Sequence, residues 1–127
     1  MRGALALAGL IVAASAAHAQ TLVAIAGHPV RFYQAYSTNP DCTSSGQVVV
    51  RITQAPEHGR VTVKNANVFP NFPASNIRSV CNRRRVAGVV VQYVSERGYT
   101  GVDQAAIQVV YPTGTSRTFS ASLTVQP

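Results

Sequence analysis

Four arginines between positions 78 and 85 are the residues of this chain best suited to bind a ligand. Arg83, Arg84 and Arg85 are consecutive, and Arg78 stands a short distance upstream. A guanidinium carries a fixed positive charge and a planar set of donors that matches carboxylate and phosphate oxygens in bidentate fashion. The cluster therefore predicts a binding site for an anionic group. On an extended strand Arg83 and Arg85 share one face and Arg84 points the other way. The alternative is a solvated strand edge, where charge blocks pairing with another sheet.

The charge of the whole chain suits the same class of partner. Eleven lysines and arginines against four acidic residues give a formal net charge of +7. Such an excess favours nucleic acid, lipid headgroups or acidic polysaccharide. Arginine is used almost to the exclusion of lysine, of which Lys64 is the one example. The composition of the genome is therefore an alternative explanation of the charge.

Two cysteines, Cys42 and Cys81, are the only ones in the chain. In an exported protein an even pair of cysteines predicts one disulfide. Closing a loop of about 40 residues stabilises a fold by roughly 4 kcal/mol in the chain-entropy model. We expect this bond to tie the region before the third strand to the segment that carries the arginines.

The other polar residues do not form a recognisable metal or catalytic motif. His28 and His58 lack further ligands, since the only methionine is Met1 and both cysteines pair with each other. Four dispersed carboxylates do not make a calcium site, and Asp103 is expected to cap the nearby Gly-Tyr-Thr-Gly turn. No Gly-x-Ser-x-Gly elbow occurs, and neither histidine has an evident catalytic partner. The sequence thus predicts a non-enzymatic protein that holds no metal and no cofactor.

Strand patterns in the second half of the chain predict the fold class. Apolar and polar residues alternate in Ala105–Tyr111 and in Arg117–Val125, as in strands with one buried face. Val86–Val94 is apolar on both faces and is expected at the centre of a sheet. The turn at Tyr111–Thr115 predicts a hairpin in which Gly114 adopts a positive φ.

Four more strands are predicted in the first half: Thr21–Ile25, Val30–Tyr36, Gln47–Thr53 and Arg60–Lys64. A hairpin with Gly59 at positive φ is expected between the last two. About seven short strands without an amphipathic helix indicate an antiparallel β-sandwich. We expect thirteen side chains in its core: Val48, Val50, Ile52, Val61, Val63, Val89, Val91, Tyr93, Ile107, Val109, Phe119, Leu123 and Val125.

Residues 65–85, named the insert here, interrupt the strand pattern. Asparagines, two prolines and the absence of a lasting periodicity predict a long irregular segment, which is usually functional or tethered. Cys81 supplies the tether near its end. Phe69, Phe72 and Tyr33 are candidates for aromatic surface beside the arginines.

Residues 1–19 have the pattern of a signal peptide. Arg2 precedes a short apolar run, and Ala17-His18-Ala19 places small residues where signal peptidase cleaves. Residues 20–127 are then one exported domain, periplasmic or secreted, and no transmembrane segment is predicted in it.

The phrase Ala55-Pro56-Glu57-His58-Gly59-Arg60-Val61, with Val91-Gln92-Tyr93 and Gly98-Tyr99-Thr100-Gly101-Val102-Asp103 further on, resembles the bacterial cadherin-like and immunoglobulin-like domains. This resemblance implies an immunoglobulin-like β-sandwich, with Tyr99 bonded to nearby backbone as in a tyrosine corner. Domains of this kind are commonly surface or secreted modules for adhesion, spacing or binding. The disulfide and the arginine-rich insert are departures from that pattern.

These features together predict an exported, non-enzymatic immunoglobulin-like domain with a structural or binding role. Its recognition surface would be the insert, and its partner an anionic surface polymer or a protein. Two alternatives stay open: a periplasmic inhibitor or chaperone-type accessory protein, and a small hydrolase.

Overall fold

The computed structural model describes residues 3, 8–11 and 20–127. Most of the predicted signal peptide, residues 1–19, lies outside the described residues. Within the described ranges, no helix has the length and apolar character needed to cross a membrane.

Seven strands and one short 3₁₀ helix form the described fold. They are β1 (Gln20–Ile25), β2 (Val30–Tyr36), β3 (Val49–Gln54), β4 (Gly59–Val68), the 3₁₀ helix (Ile77–Arg83), β5 (Val86–Ser95), β6 (Gly101–Val110) and β7 (Ser116–Gln126). One sheet has the strand order β1-β7-β6-β3 and the other the order β2-β5-β4. β1 runs parallel to β7, and the other neighbouring strands are antiparallel. The prediction of an all-β chain of about seven strands is confirmed.

β5 lies between β2 and β4, as its two apolar faces predict. Val89, Val91 and Tyr93 are buried in a cluster with side chains of the other sheet. Val86 and Val90 instead join Val68 in a second, smaller cluster. Because both faces of β5 are covered by protein, this strand needs no polar face.

Most of the predicted core is buried. Val48, Val89, Val91, Tyr93, Ile107, Val109, Leu123 and Val125 are at most 5% exposed. Val50, Val61 and Phe119 are half-buried against this cluster. The prediction is wrong for Ile52 and Val63, which are 44% and 39% exposed. Both belong to edge strands, β3 and β4, which have a neighbouring strand on one side only, so their side chains have fewer neighbours.

The connection between β3 and β4 carries the chain from one sheet to the other and is not the predicted hairpin. Gly59 is not among the residues with positive φ, whereas Gly114 has φ 87° as predicted. Glycine is required at position 59 because the neighbouring atoms leave no room for a Cβ atom. A Cβ there would lie 2.5 Å from the carbonyl oxygen of Val94 and 2.8 Å from the Tyr93 ring.

Asp103, at the start of β6, fastens this connection to the core. Its carboxylate, 4% exposed, accepts the backbone N–H groups of Glu57 and His58 at 3.0 and 3.1 Å and the Tyr93 hydroxyl at 2.7 Å. The predicted cap on the Gly98–Gly101 turn is therefore wrong, because none of the four donors to this carboxylate belongs to that turn. Burial, together with this hydrogen bond to Asp103, raises the pKa of Tyr93 above its usual value.

Candidate functional site

The insert is more regular than its sequence predicts. β4 continues to Val68, and the 3₁₀ helix occupies Ile77–Arg83. Asn76 caps this helix, with its side-chain oxygen accepting the N–H of Arg78 at 2.8 Å. An asparagine before a short helix is a good N-cap, since its oxygen satisfies a backbone donor that the helix leaves unpaired. The asparagines of the insert thus carry a local structural signal.

The predicted disulfide between Cys42 and Cys81 is confirmed. Cys81 is fully buried within the 3₁₀ helix, and the two Cα atoms lie 5.4 Å apart. Cys42 belongs to the connection between β2 and β3, where Thr38 and Ser44 form an isolated β-bridge. The bond therefore joins the insert to this connection.

A second fastening holds the middle of the insert. Asn82 accepts the N–H of Phe72 at 2.8 Å and donates to the Phe72 carbonyl at 2.9 Å. The Phe72 ring packs edge-on against Tyr36, at 5.3 Å between centroids. The Tyr36 hydroxyl in turn accepts the N–H of Asn71 at 2.8 Å. These contacts place the insert against β2.

Arg83, Arg84 and Arg85 follow directly from this fixed segment, and all three are exposed. Arg83 is the last residue of the 3₁₀ helix, and Arg84 caps it through its N–H to the Cys81 carbonyl. β5 begins at Val86, as predicted, so none of the three arginines belongs to a strand. The alternation of faces expected for the three arginines does not apply.

One of the three aromatic residues proposed to lie beside the arginines does so. The Arg85 guanidinium carbon lies 5.4 Å from the centroid of the Phe69 ring. A cation at this distance from an aromatic face is held electrostatically by about 0.5–1 kcal/mol at an exposed site. Phe72 packs against Tyr36, as described above, and Tyr33 packs against Phe119 at 4.9 Å.

Arg78 has a structural contact that separates it from the other arginines. Its Nε donates to the backbone carbonyl of Thr38 at 2.8 Å, and its side chain is half-buried. This bond joins the insert to the β2–β3 connection near the disulfide. The remaining three arginines, Arg83, Arg84 and Arg85, are named the arginine cluster here.

The arginine cluster has no carboxylate to neutralise it. In residues 20–127, the one pair of opposite charges within 4.0 Å joins Glu57 to His58, at 3.9 Å. Moreover, β2, β4, β5 and the whole insert contain no aspartate or glutamate. The charged side chains of the three-stranded sheet and its insert, named the cationic region here, are thus all positive, and their attraction for anions extends about 8–10 Å into solution.

Two cations that sequence reasoning missed extend this region. Gln34 donates to the Phe69 carbonyl at 3.1 Å and accepts from Arg31, also at 3.1 Å. Lys64 and Gln34 both stand opposite Val90 in the sheet, so they share its outer face. Two strand spacings of about 4.8 Å separate them. Only the strand pairing reveals this proximity, since Arg31 and Lys64 are far apart in sequence.

His58 packs against an aromatic ring. The His58 ring stacks on Tyr99, with 4.0 Å between centroids and 8° between planes. The Tyr99 hydroxyl donates to the Val102 carbonyl at 2.7 Å, in line with the predicted bond to nearby backbone. In the part of the chain that the structure describes, no three histidine, cysteine or acidic side chains are grouped closely enough to hold a metal ion.

Comparison with known proteins places the chain in no family. No family profile matches it, and no curated protein matches it. Among solved structures, the solution structure of amebosin is similar over 84% of this chain and 88% of its own, with 15% sequence identity and a TM-score of 0.47.

Proposed function

We propose that this protein is an exported, non-enzymatic binding domain with an immunoglobulin-like β-sandwich fold, and that its arginine cluster holds an anionic polymer. The observation that carries the proposal is the position of Arg83, Arg84 and Arg85. They are exposed, without a carboxylate partner, and they follow a helix that a disulfide and a capping asparagine hold in place.

Three features support the immunoglobulin-like part of the proposal. Both sheets contribute side chains to one buried cluster, as the two layers of a sandwich do. The orders β2-β5-β4 and β7-β6-β3 suit the B-E-D and G-F-C orders of an immunoglobulin sandwich, with β1 paired to β7 instead of to β2. Tyr99 bonds to backbone at the crossover from β5 to β6. The disulfide agrees with export to the periplasm or beyond, where such bonds persist.

Polymeric anions suit this surface better than a single small anion. Arginine side chains at the end of the 3₁₀ helix do not enclose a pocket, because all three are exposed. Arg31 and Lys64 continue the positive charge over the outer face of the sheet. An extended ligand with repeated negative groups would contact several of these cations at once, and each contact would add to the affinity.

Binding of the purified protein to immobilised polygalacturonate, measured at several salt concentrations, tests the proposal. The variant Arg83→Ser/Arg84→Ser should bind weakly and with a shallower dependence on salt, since exposed charges are screened over about 8–10 Å. The matched control is Arg51→Ser/Arg97→Ser, which removes the same charge from exposed positions outside the cationic region. Its binding should stay close to that of the parent.

Lysine replacements separate charge from geometry. Arg83→Lys/Arg84→Lys should keep the salt-dependent part of the affinity and lose the bidentate part. All variants should melt near the parent temperature, because exposed charges contribute only about 0–1 kcal/mol each to stability. If the matched control loses as much affinity as the Arg83/Arg84 variant, binding depends on net charge and not on the arginine cluster. If the Arg83/Arg84 variant binds as the parent does, the proposal is contradicted and the arginine cluster is only a solvent-exposed charged surface.

A further inference from the structure

A cleft of about 550 Å³ lies beside the insert, on the side of β2. Three structural units form its walls: the β2 segment from Tyr33 to Ser37, the insert at Phe72 and Pro73, and the β6–β7 turn with Arg117. The volume falls within the range of roughly 300–1,000 Å³ that is typical of small-molecule sites. The arginine cluster does not line this cleft, so its chemistry has to be explained separately.

Aromatic rings dominate the walls of the cleft. Tyr33, Tyr36, Phe72 and Tyr111 line it, and all four are half-buried. Tyr36 and Phe72 meet at 75° between planes, and Tyr33 meets its neighbour Phe119 at 42°. The Tyr36 and Phe72 rings therefore do not form a parallel slot of the kind that takes a flat nucleobase. They offer apolar faces of different directions, which suit the puckered C–H surface of a sugar ring.

The rim of the cleft is polar and carries one cation. The hydroxyls of Thr113 and Thr115 lie 3.0 Å apart in the β6–β7 turn and can exchange hydrogen bonds with sugar hydroxyls. Arg117 is exposed and has no carboxylate within 4.0 Å in residues 20–127. Its fixed charge favours an anionic group on the ligand, and a guanidinium can bind a carboxylate in bidentate fashion.

The walls are fixed before any ligand arrives. Phe72 is held by its two hydrogen bonds to Asn82, and the N–H of Tyr111 donates to the Thr115 carbonyl at 2.9 Å. Burial, with the neighbouring Tyr33 hydroxyl, raises the pKa of Tyr111 to about 12. A rigid, pre-formed site lowers the ordering cost of binding.

From this arrangement we infer that the cleft binds a sugar unit that bears a carboxylate, as in the uronic acids of acidic polysaccharides. The aromatic faces would pack against the ring, the threonines would meet its hydroxyls, and Arg117 would pair with the carboxylate. The inference deepens the proposed function and rests on it for the polymer, but not for the single sugar unit. Asn82 contacts Phe72 and directly precedes Arg83, so the arginine cluster begins within about 10 Å of this wall. Neighbouring units of one polymer could reach both.

Tyrosine signals report on the cleft directly. The chain has five tyrosines and no tryptophan, and three of the five line the cleft. Titrating the purified protein with galacturonate and with galactose, followed by tyrosine fluorescence and by the ring signals in NMR spectra, should show tighter binding of the acidic sugar by roughly tenfold, as one charge-assisted contact provides. Equal affinity for the two sugars, or no change of signal with either at millimolar concentration, overturns the inference.

Variants separate this site from the arginine cluster. Arg117→Gln should weaken galacturonate roughly tenfold, leave galactose unchanged and preserve the fold, whereas the matched control Arg51→Gln should change neither affinity. Parent-like galacturonate binding by Arg117→Gln contradicts the inference. A response of the tyrosines to an acidic peptide or to single-stranded DNA, but not to galacturonate, does the same.

The Arg83→Ser/Arg84→Ser variant distinguishes the two proposals. It should bind the monosaccharide as the parent does and lose affinity for a galacturonate trimer. Loss of the trimer in this variant without any monosaccharide binding by the parent would contradict the sugar site and leave the proposed function standing. If the parent binds the monosaccharide and this variant binds the trimer as the parent does, the proposed function is contradicted and the sugar site stands.

Discussion

Replacing Asp103 by asparagine should destabilise the protein more than any other change of a single charge in residues 20–127. The carboxylate accepts four hydrogen bonds: Glu57 and Gln104 donate to one oxygen, and His58 and Tyr93 donate to the other. An asparagine of the same shape keeps one oxygen acceptor and places an amide N–H₂ where the second oxygen was. The Tyr93 hydroxyl can turn and accept from this group, but the His58 N–H cannot.

The expected loss follows from these contacts. One buried backbone donor loses its acceptor, at a cost of about 1–3 kcal/mol. The bonds that survive change from charge-assisted to neutral and weaken by roughly half. We therefore expect Asp103→Asn to lower the free energy of unfolding by roughly 3–4 kcal/mol, a large part of the about 5–15 kcal/mol of a typical domain. Urea unfolding at neutral pH, followed by far-UV circular dichroism, measures it.

Asp41→Asn is the matched control. Asp41 is exposed and accepts hydrogen bonds from the backbone and hydroxyl of Thr43 alone, which lower the pKa of its carboxyl. The same chemical change there should leave the free energy of unfolding close to that of the parent. Tyr93→Phe, alone and combined with Asp103→Asn, should give a coupling energy of about 0.5–3 kcal/mol between the two side chains. If Asp103→Asn unfolds at the same urea concentration as Asp41→Asn, the role assigned to this carboxylate is wrong.

The other predictions concern the disulfide, the core and alkaline pH. Cys42→Ser should lower the free energy of unfolding by roughly 2–5 kcal/mol in chemical denaturation, and an unchanged value would show that the insert is held without it. Ile107→Ala, at a fully buried position, should cost roughly 2–5 kcal/mol, whereas Ile52→Ala, 44% exposed on an edge strand, should cost clearly less; equal costs would contradict the burial of the two sites. Burial raises the pKa of Tyr93 and Tyr111 above the usual 10.0, to about 12 for Tyr111, so the native state holds these protons more tightly than the unfolded chain. These two groups should therefore leave the free energy of unfolding constant below pH 10 and lower it as the pH rises through their native pKa values. Urea midpoints measured on either side of pH 10 would reveal this fall.

Strand positions were predictable from sequence because they depend on local periodicity. β2 has the predicted bounds, and the hairpin between β6 and β7 forms with Gly114 at positive φ. The sheet to which a strand belongs is not a local property. This explains the error at the β3–β4 connection, whose Pro-x-His-Gly sequence suits a hairpin as well as a passage between sheets.

The errors at individual residues have the same origin. Ile52 and Val63 have the parity of core positions, but their strands lie at sheet edges, and only the strand order shows this. Asp103 finds its partners 45 and 46 residues away. Gly59 is required by the approach of the Tyr93 ring, which no turn rule describes.

The candidate site was predictable in composition but not in arrangement. Arg83, Arg84 and Arg85 are recognisable as a cationic run in any reading of the sequence. The sequence does not show that Arg78 donates a hydrogen bond to the Thr38 carbonyl, because the two residues are 40 positions apart. The cleft near Arg117 draws its walls from three separate parts of the chain, so no single motif indicates it.

The bond between Cys42 and Cys81 also has a consequence for when the protein becomes able to bind. The same segment presents the arginine cluster and supplies the Phe72 wall of the cleft, and this bond anchors it to the β2–β3 connection. In a chain with both thiols reduced, this segment would keep only a few hydrogen bonds and ring contacts, and the entropy of a long loop would oppose its ordering. We therefore expect newly made, reduced chains to bind polyanions, nucleic acids included, more weakly than oxidised chains do. In an exported protein, as proposed above, oxidation would then act as a maturation step that strengthens binding once the protein has left the compartment where it is made.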